Sequence, residues 1–267
     1  TVDFREEFQK KVVNNFTAES LRGRKPNPCI RCNSDVRWSA LLEYADALGI
    51  EFIATGHYAR IDRSQPARPT IQKGLDPQKD QSYVLWRLNR EALSRTLFPL
   101  GGLTKPEVRK IARKANLTTA DIAESQEICF IPNDNYRTFI ESETAQGNGA
   151  SGGGRFVTPA GETVSEHRGI SHYTVGQRRG LGISGAEPVY VQNIEAGSGD
   201  ITLAPRRSMF FSGCQLNDLN WHIDETDLDM LKNLTVLIRY NHGGVSCGIT
   251  LSEDGTAKVK FQEPQFA

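Results

Sequence analysis

The segment EFIATGHYARI, residues 51–61, decides the fold class. It is a short apolar run that follows a helical pattern ending at Gly49, and it contains Thr55, Gly56 and His57 in sequence. The order of helix, glycine, strand and glycine-containing turn predicts an α/β unit with a parallel sheet. Ligands of such sheets bind beyond the carboxyl ends of the strands. Gly56 and His57 therefore stand where a ligand would bind, although a lone histidine after a strand is more often structural.

Outward from this segment, the first half of the chain alternates between helical and strand patterns. Apolar residues recur at a spacing near 3.6 in four segments, which is typical of amphipathic helices. A short apolar run farther on predicts another strand. The predicted helices are 3–22, 34–48, 81–93 and 105–116, and the predicted strand is 128–132.

The pattern changes after Thr144. A glycine-rich run at 146–154 is followed by short alternating segments that Gly, Pro and Asp separate. Such runs are typical of small all-β domains. The sequence therefore predicts an α/β part followed by one or two small barrels.

Composition limits the classes of function. The chain has 267 residues, with 32 Lys plus Arg and 32 Asp plus Glu, so its formal charge is zero. The length predicts more than one core, and a neutral chain has to contact nucleic acid through local patches. The sequence lacks the ~20-residue apolar stretch that crosses a bilayer, and its charged first residues are unlike a signal peptide. We predict a cytoplasmic protein without membrane contact.

Two of the five cysteines lie together in NPCIRCN, residues 27–33. Their odd number and irregular spacing make a poor disulfide framework, so thiols are expected. The sequence has no second Cys or His pair at the spacing of a zinc site, so no metal is predicted. Incidental thiols and a sulfur-handling nucleophile remain as alternatives. Nearby cations stabilise a thiolate and so favour the interpretation as a sulfur-handling nucleophile. The cations near the motif are Arg22, Arg24, Lys25, Arg31 and Arg37.

Three further motifs each have a structural interpretation beside the functional one. Asp80, in KGLDPQKDQSYVLWRL, fits a helix N-cap. Cys129, in ESQEICFIP, fits an inert buried thiol. The basic run EHRGISHYTVGQRRGLGI, residues 166–183, fits a surface that contacts a phosphate backbone, and a solvated loop equally well.

Taken in order, these strings resemble the tRNA-specific 2-thiouridylases. The likeness is carried by GRKPNPCIRCN, ATGHYARI, KGLDPQKDQSYVLWRL, FPLGGLTKPEVRKIA, ESQEICFIP, EHRGISHYTVGQRRGLGI and EPVYV. The resemblance implies a partial ATP-pyrophosphatase-type α/β domain with a parallel sheet, a small all-β central domain and a truncated C-terminal β-barrel. The corresponding ranges are 1–134, 135–205 and 206–267.

The resemblance also implies a chemistry. In this family ATP, with Mg²⁺ expected beside it, adenylates the C2 oxygen of the wobble uridine, and a cysteine persulfide then delivers sulfur to C2. Cys129 matches the cysteine that carries the persulfide. Cys32 matches its partner, which attacks the persulfide or closes a disulfide with Cys129 after sulfur has left. The implied partners are tRNA and a sulfur-donor protein, either a cysteine desulfurase or a relay carrier.

Binding residues are carried over in the same way. Gly56 matches a nucleotide-contacting glycine. Cys29 departs from those family members that have an aspartate there, and a cysteine does not serve as a proton-transfer group in the same way. The residues matched to contacts with tRNA or its target base are Asn27, Pro28, Cys29, His57, Lys79, Asp80, Gln81, Arg239 and Tyr240.

One sequence feature of the family is missing. The SGGxDS loop that binds ATP has no counterpart, because the run ASGGGR at 150–155 lacks a flanking strand and helix. The sequence also stops at EPQFA, where the family usually continues. We therefore expect a fragment that lacks both ends and, in isolation, does not bind ATP productively. The alternatives are a non-catalytic RNA-binding or redox remnant and, third, a zinc-binding module.

Overall fold

The computed structural model describes residues 2–122, 128–131, 133, 135–143, 153–185, 187–223 and 233–266. These residues form two compact units. The first unit contains the described parts of Thr1–Val13, Asn27–Ile128 and Asn220–Asp227. The second contains the described parts of Asn14–Pro26, Cys129–Leu219 and Leu228–Ala267. Among the described residues, no helix has both the length and the apolar character that a membrane span requires.

The first helical stretch forms because apolar residues recur on one face. Val12, Val13 and Phe16 on that face are buried. The stretch ends before Gly23, whose φ is +73°, and the helix predicted at 3–22 is confirmed. It consists of α1 (Arg5–Phe8), a π-helical segment (Gln9–Val13) and α2 (Asn14–Leu21).

The second helical stretch begins at the cysteine motif. Asn27 is its N-cap and Pro28 occupies the first turn, where a missing N–H costs no helical bond. Gly49, with φ +67°, follows its end. The helix predicted at 34–48 thus exists but starts earlier, because the cap lies at Asn27. Its parts are α3 (Pro28–Arg31), a π-helical segment (Cys32–Trp38) and α4 (Ser39–Ala47).

Four short strands complete the sheets of the first unit. They are β1 (Ile53–Ala54), β2 (Ala59–Asp62), β3 (Thr70–Lys73) and β4 (Thr96–Leu97). β1 and β4 pair in parallel, whereas β2 and β3 form an antiparallel pair. The parallel pair agrees with the predicted α/β class. Trp38, Leu85, Leu88 and Leu93 are buried in the core beside it, and Trp38 Nε1 donates to Thr96 Oγ1 at 2.7 Å.

The helix predicted at 81–93 is wrong, whereas the next one is confirmed. Tertiary hydrogen bonds hold the chain near Asp80, so only a 3₁₀ turn (Ser82–Val84) and α5 (Arg90–Ser94) form. In contrast, α6 (Lys105–Lys114) has a local start signal. The Glu107 carboxylate accepts from the Thr104 N–H at 2.7 Å, as in a capping box.

The second unit contains α7 (Tyr136–Glu143) and a four-stranded mixed sheet. The sheet order is β6-β5-β8-β7, in which β5 and β8 are parallel and the other pairs are antiparallel. Phe156, Val191 and Ile201 fill its core. The strands are β5 (Gly154–Val157), β6 (Thr163–His167), β7 (Val189–Ile194) and β8 (Ile201–Pro205); 3₁₀ turns lie at Ile170–His172 and Arg206–Met209.

A second, antiparallel sheet has the order β10-β11-β12-β9. Ala257, Val259 and Phe261 alternate along β12 and are buried, so one face of this strand packs inward. The predicted change to all-β structure is confirmed. The strands are β9 (Phe210–Leu216), β10 (Leu234–Val236), β11 (Val245–Leu251) and β12 (Ala257–Phe266).

One prediction about the middle of the chain is wrong, and another falls mostly outside the described residues. The strand predicted at 128–132 is wrong for the described residues 128–131, which form a turn because Phe130 packs against aromatic rings. Most of the glycine-rich run at 146–154 lies outside the described residues.

Candidate functional site

The cysteine motif sits at the start of the second helical stretch. The Asn27 side chain accepts a hydrogen bond from the Cys29 N–H at 3.1 Å. Pro28 is buried, Cys29 is exposed, and Cys32 is partly exposed. Residues three apart on a helix lie on the same side. The helix therefore presents both cysteines from one side, and neither is buried in the core.

The basic residues expected to crowd the thiols have contacts of their own. Arg31 binds the Asp35 carboxylate at 3.1 Å, and Arg37 donates to Asn33 Oδ1 at 3.2 Å. Two of the five cations expected around the thiols are therefore already bound to other side chains. The remaining three have partners in the second unit, where Arg22 and Arg24 each bind Glu19 at 2.9 Å and the Lys25 ammonium lies over the Tyr136 ring.

His57 is buried and both of its ring nitrogens are occupied. Arg37 Nη1 lies 3.3 Å from Nε2, and Thr55 Oγ1 lies 2.9 Å from Nδ1. A guanidinium can only donate, so Nε2 accepts and Nδ1 carries the proton that it donates to Thr55. Burial, and after it the charge of Arg37, lowers the pKa of His57 to about 4. His57 is a neutral imidazole at neutral pH.

The Lys79–Gln81 triplet is tied to the strand that begins after His57. Gln81 and Tyr58 exchange two hydrogen bonds of 2.9 Å, one through the Gln81 side chain and one between the backbones. Asp80 Oδ1 accepts from the Gly74 N–H at 2.8 Å. Asp80 therefore caps backbone amides, as its structural interpretation predicts, but not those of a long helix. Lys79 is partly exposed.

Cys129 is an exposed thiol on a turn of the second unit. The next residue, Phe130, packs edge-on against Phe16 at 5.6 Å and Phe139 at 5.4 Å between ring centroids. Ile131 is 3% exposed. Phe130 and Ile131 are therefore anchored while the cysteine before them faces solvent, so the interpretation of Cys129 as an inert buried thiol does not hold.

Two cations lie near one tyrosine of the helix that anchors this turn. α7 carries Phe139 and also Tyr136 and Arg137. Burial raises the pKa of Tyr136, but hydrogen bonds from Lys25 and Arg137 outweigh it and hold that pKa below its ordinary value. Lys25 and Arg137 thus lie close to the Tyr136 ring of this helix, which also carries Glu141 and Glu143.

Arg239 and Tyr240 lie on an exposed loop of the second unit. The Arg239 guanidinium donates to the Phe266 carbonyl at 3.3 Å, which holds the loop against the end of β12. Tyr240 is 46% exposed. Both side chains are accessible to a large partner such as RNA.

The first unit brings together most of the predicted site residues through contacts that the sequence did not reveal. Asn33, next to Cys32, donates to the Val84 carbonyl at 3.2 Å and accepts from Arg37, which reaches His57. Thr55 and the ring pair Phe16–Phe139 were missed as site components, and Arg37 was predicted beside the thiols but not beside His57. Phe16 lies on a predicted apolar helix face, which is the only sequence signal that pointed to it. Among the described residues, no three His, Cys, Asp or Glu side chains are grouped to hold a metal.

Comparisons with known proteins match the whole length of the chain. Residues 1–133 match a tRNA methyl transferase HUP domain, 142–205 a tRNA methyl transferase PRC-barrel domain, and 211–267 an aminomethyltransferase beta-barrel domain. The tRNA-specific 2-thiouridylase MnmA of Geobacter metallireducens is 42% identical over 264 residues, which are 99% of this chain and 70% of that protein.

The chain belongs to the tRNA-specific 2-thiouridylase family. The MnmA proteins of Geotalea uraniireducens and Chlorobium luteolum are 43% and 42% identical, and the matches cover 68% and 73% of their lengths. The order of α/β and all-β parts agrees with the HUP and barrel matches of this family.

The family uses ATP in its HUP domain, so the space at Gly56 is relevant. A Cβ added there would meet only Leu100 Cδ1 at 3.6 Å, an ordinary van der Waals contact. Close approach of a phosphate normally demands glycine, and this position does not. Gly56 alone therefore does not form a phosphate cradle, and its contact with nucleotide stays a prediction.

Proposed function

We propose that the chain is a tRNA-uridine 2-sulfurtransferase that makes 2-thiouridine at the wobble position in the cytoplasm. Membership of the 2-thiouridylase family supports this function. The observation that carries it is the exposed Cys129 thiol on a turn that an aromatic cluster anchors. A thiol has to be accessible to accept sulfur from one macromolecule and deliver it to another.

Cys129 is the sulfur carrier in this proposal. A donor protein transfers a sulfane sulfur to the Cys129 thiol, which becomes a persulfide. The terminal sulfur then bonds to C2 of the uridine as the activated C2 oxygen leaves. ATP, with Mg²⁺ beside it, supplies that activation when bound.

Cys32 completes the electron balance. Its thiolate attacks Cys129 Sγ, which forms a Cys32–Cys129 disulfide and leaves the two electrons that convert sulfane sulfur to the thione. Each turnover thus oxidises two thiols, and a dithiol reductant has to restore them. Such a disulfide places the two Cα atoms about 5.5–6 Å apart.

The remaining matched residues are proposed to hold the substrate. Asn27, Pro28 and Cys29 are proposed to meet the target base, and Lys79, Asp80, Gln81, Arg239 and Tyr240 to contact tRNA. His57 would do so as a neutral imidazole. We also propose the domain ranges 1–134, 135–205 and 206–267.

The test is mass spectrometry of the chain after exposure to a cysteine desulfurase and cysteine. We expect a persulfide on Cys129 and, after sulfur release, a linkage between Cys32 and Cys129. Cys129→Ser should remove the persulfide, whereas Cys32→Ser should retain it and lose the linkage. Cys247→Ser is the matched control and should change neither.

Two results would count against the proposal. A non-catalytic RNA-binding or redox remnant predicts that neither Cys129→Ser nor Cys32→Ser alters sulfur acceptance. The descriptions of the matched domains also mention methyl transfer. In a tRNA assay with ATP, any product should carry the mass of a sulfur-for-oxygen exchange and not that of a methyl group; because the sequence lacks the SGGxDS loop, we expect the isolated chain to form none.

A further inference from the structure

Arg178 and Arg179 differ from most arginines in the described residues. Both side chains are exposed, and within the part of the chain that the structure describes neither has an ion pair, a hydrogen bond or a ring contact. Two adjacent guanidinium groups therefore face solvent without a carboxylate. By contrast, nine arginines bind carboxylates: Arg5, Arg22, Arg24, Arg31, Arg87, Arg95, Arg113, Arg155 and Arg207.

The loop that carries this pair is held by the side chain of Gln177. Gln177 Oε1 accepts from the Thr174 N–H at 3.1 Å, and its Nε2 donates to the Arg179 carbonyl at 2.9 Å. The same loop also bonds to β7, because the Gly176 N–H donates to the Val191 carbonyl at 2.8 Å and the Val191 N–H donates to the Gln177 carbonyl at 2.9 Å. We call residues 173–182 the Gln177 loop.

Both ends of the Gln177 loop are packed into the mixed sheet. The Tyr173 ring contacts Phe156 at 5.0 Å and His167 at 5.3 Å between centroids. Leu181 is 7% exposed and belongs to the core of that sheet. A loop that served only solubility would need neither these anchors nor the Gln177 bonds. Its conformation is instead fixed before any partner arrives.

Adjacent arginines on a loop with a braced backbone suit phosphate oxygens. Each guanidinium can donate two parallel hydrogen bonds to a phosphate, and phosphate contacts position a protein on nucleic acid. A preformed loop also avoids the ordering cost of binding. In the same unit, Val175 of the loop lines a cavity of about 540 Å³ that Arg22 and Arg24 also line. Glu195 also lines that cavity, and both arginines bind Glu19, so they add no unpaired positive charge to that of the loop.

We propose that the Gln177 loop binds the phosphate backbone of tRNA through Arg178 and Arg179, as a contact additional to the residues named above. This inference rests on the proposed function, since it takes tRNA as the partner. An acidic surface of the sulfur-donor protein would suit the same charges, because a guanidinium binds carboxylates as it binds phosphates; binding of the loop to that protein is therefore one outcome of the test.

The experiment measures the affinity of the chain for tRNA by fluorescence anisotropy over a series of salt concentrations. The double variant Arg178→Ala/Arg179→Ala should weaken binding about ten-fold at physiological salt. It should also lower the slope of log affinity against log salt by about 1.4–1.8, the value for two phosphate contacts. Thermal unfolding of the variant should match that of the wild type, because neither side chain has a hydrogen bond, ion pair or ring contact in the described residues.

Two further variants separate charge from geometry. Arg178→Lys/Arg179→Lys keeps the charge, so it should retain the salt slope while binding several-fold more weakly. Gln177→Ala should weaken binding several-fold without changing the salt slope, because both charges remain and the loop loses the two hydrogen bonds of the Gln177 side chain. Arg155→Ala is the control, since Arg155 is an exposed arginine of the same sheet that already binds Asp200.

The outcomes are distinguishable. If the wild-type chain binds tRNA and the double variant binds it with the same affinity and the same salt slope, the loop assignment is overturned. The proposed function then still stands. Normal tRNA binding together with lost sulfur acceptance from the desulfurase assigns the loop to the donor protein and also overturns it. Absence of tRNA binding by the wild-type chain overturns both the inference and the tRNA part of the proposed function.

Discussion

His57 illustrates how one residue beside the thiols acquires a fixed chemical state. Its position after β1 predicts a ligand contact, but the imidazole is 8% exposed and lies between Arg37 and Thr55. The cation next to Nε2 disfavours a second positive charge. Any contact of His57 with RNA therefore has to use a neutral ring, and the residue cannot act as a cationic phosphate ligand at neutral pH.

This state predicts a loss of stability in acid. The pKa of His57 is about 4 in the folded chain, against about 6.5 when unfolded. Between these values the unfolded chain binds more protons, so the stability from burying neutral His57 is present above about pH 6.5 and is lost as the pH falls towards 4. The free energy of unfolding should drop by up to about 3 kcal/mol from this group. An NMR titration of the imidazole near pH 6.5 would contradict the prediction.

Two neighbouring glycines allow a matched test of close packing. A Cβ added at Gly101 would collide with the Ala59 carbonyl, whereas one at Gly102 would meet nothing within 4 Å. Gly101→Ala should therefore destabilise the first unit by about 1–3 kcal/mol, the usual cost of overpacking. Gly102→Ala should be nearly neutral. Urea unfolding of the two variants measures both values, and equal midpoints would disprove the packing argument.

At the scale of elements, the turn that carries Cys129 depends on rings distant in sequence. Phe130 contacts Phe16 of α2 and Phe139 of α7, and aromatic pairs of this kind contribute about 0.5–1.5 kcal/mol each. These contacts hold the exposed cysteine in one place. The turn is therefore preorganised by two helices and not by its own sequence.

Loss of this anchor should affect sulfur transfer more than thiol chemistry. We expect Phe130→Ala to slow persulfide formation on Cys129 by about ten-fold, since two aromatic pairs are lost. Alkylation of Cys129 by a small reagent should keep its rate, because the thiol is already exposed. Phe52→Ala, at a ring that is 42% exposed in the first unit, is the control. Equal losses in both rates would indicate general disruption instead of mispositioning.

The elements that the sequence predicted correctly are those with local signals. The helix at 105–116 has its capping box within four residues, so its start needs no information from elsewhere. The segment 81–93 has the same apolar spacing, but Asp80 and Gln81 bond to Gly74 and Tyr58 and prevent a long helix. The run ICFI has strand composition, yet its described residues form a turn in which Phe130 contacts two rings. Tertiary contacts overrode local preference in both cases.

At the scale of the whole molecule, the sequence predicted the residues of the candidate site better than it predicted the groups around them. The resemblance selected Cys32 and Cys129, which neither unit buries in its core. The basic residues of the motif were expected around Cys32. Helical spacing connects Arg22 with Glu19 and Arg31 with Asp35, but no spacing rule connects Lys25 with Tyr136. Charge partners depend on packing, which a single sequence does not specify.

The division into two units predicts separable unfolding. Each unit has its own buried cluster, around Trp38 and Leu85 in the first and around Phe156 and Ile201 in the second. The three tryptophans, Trp38, Trp86 and Trp221, all belong to the first unit. Tryptophan fluorescence should therefore report the first unit alone, whereas the far-ultraviolet circular dichroism of β structure should report mainly the second.

A pair of core variants tests this separation. Leu85 and Ile201 are both 0% exposed, and truncating such a side chain costs about 2–5 kcal/mol. Leu85→Ala should shift the fluorescence transition in urea and leave most of the dichroism transition in place, and Ile201→Ala should do the reverse. If both probes moved together in both variants, the chain would unfold as one cooperative body, because two-state unfolding requires that different probes give coincident transitions.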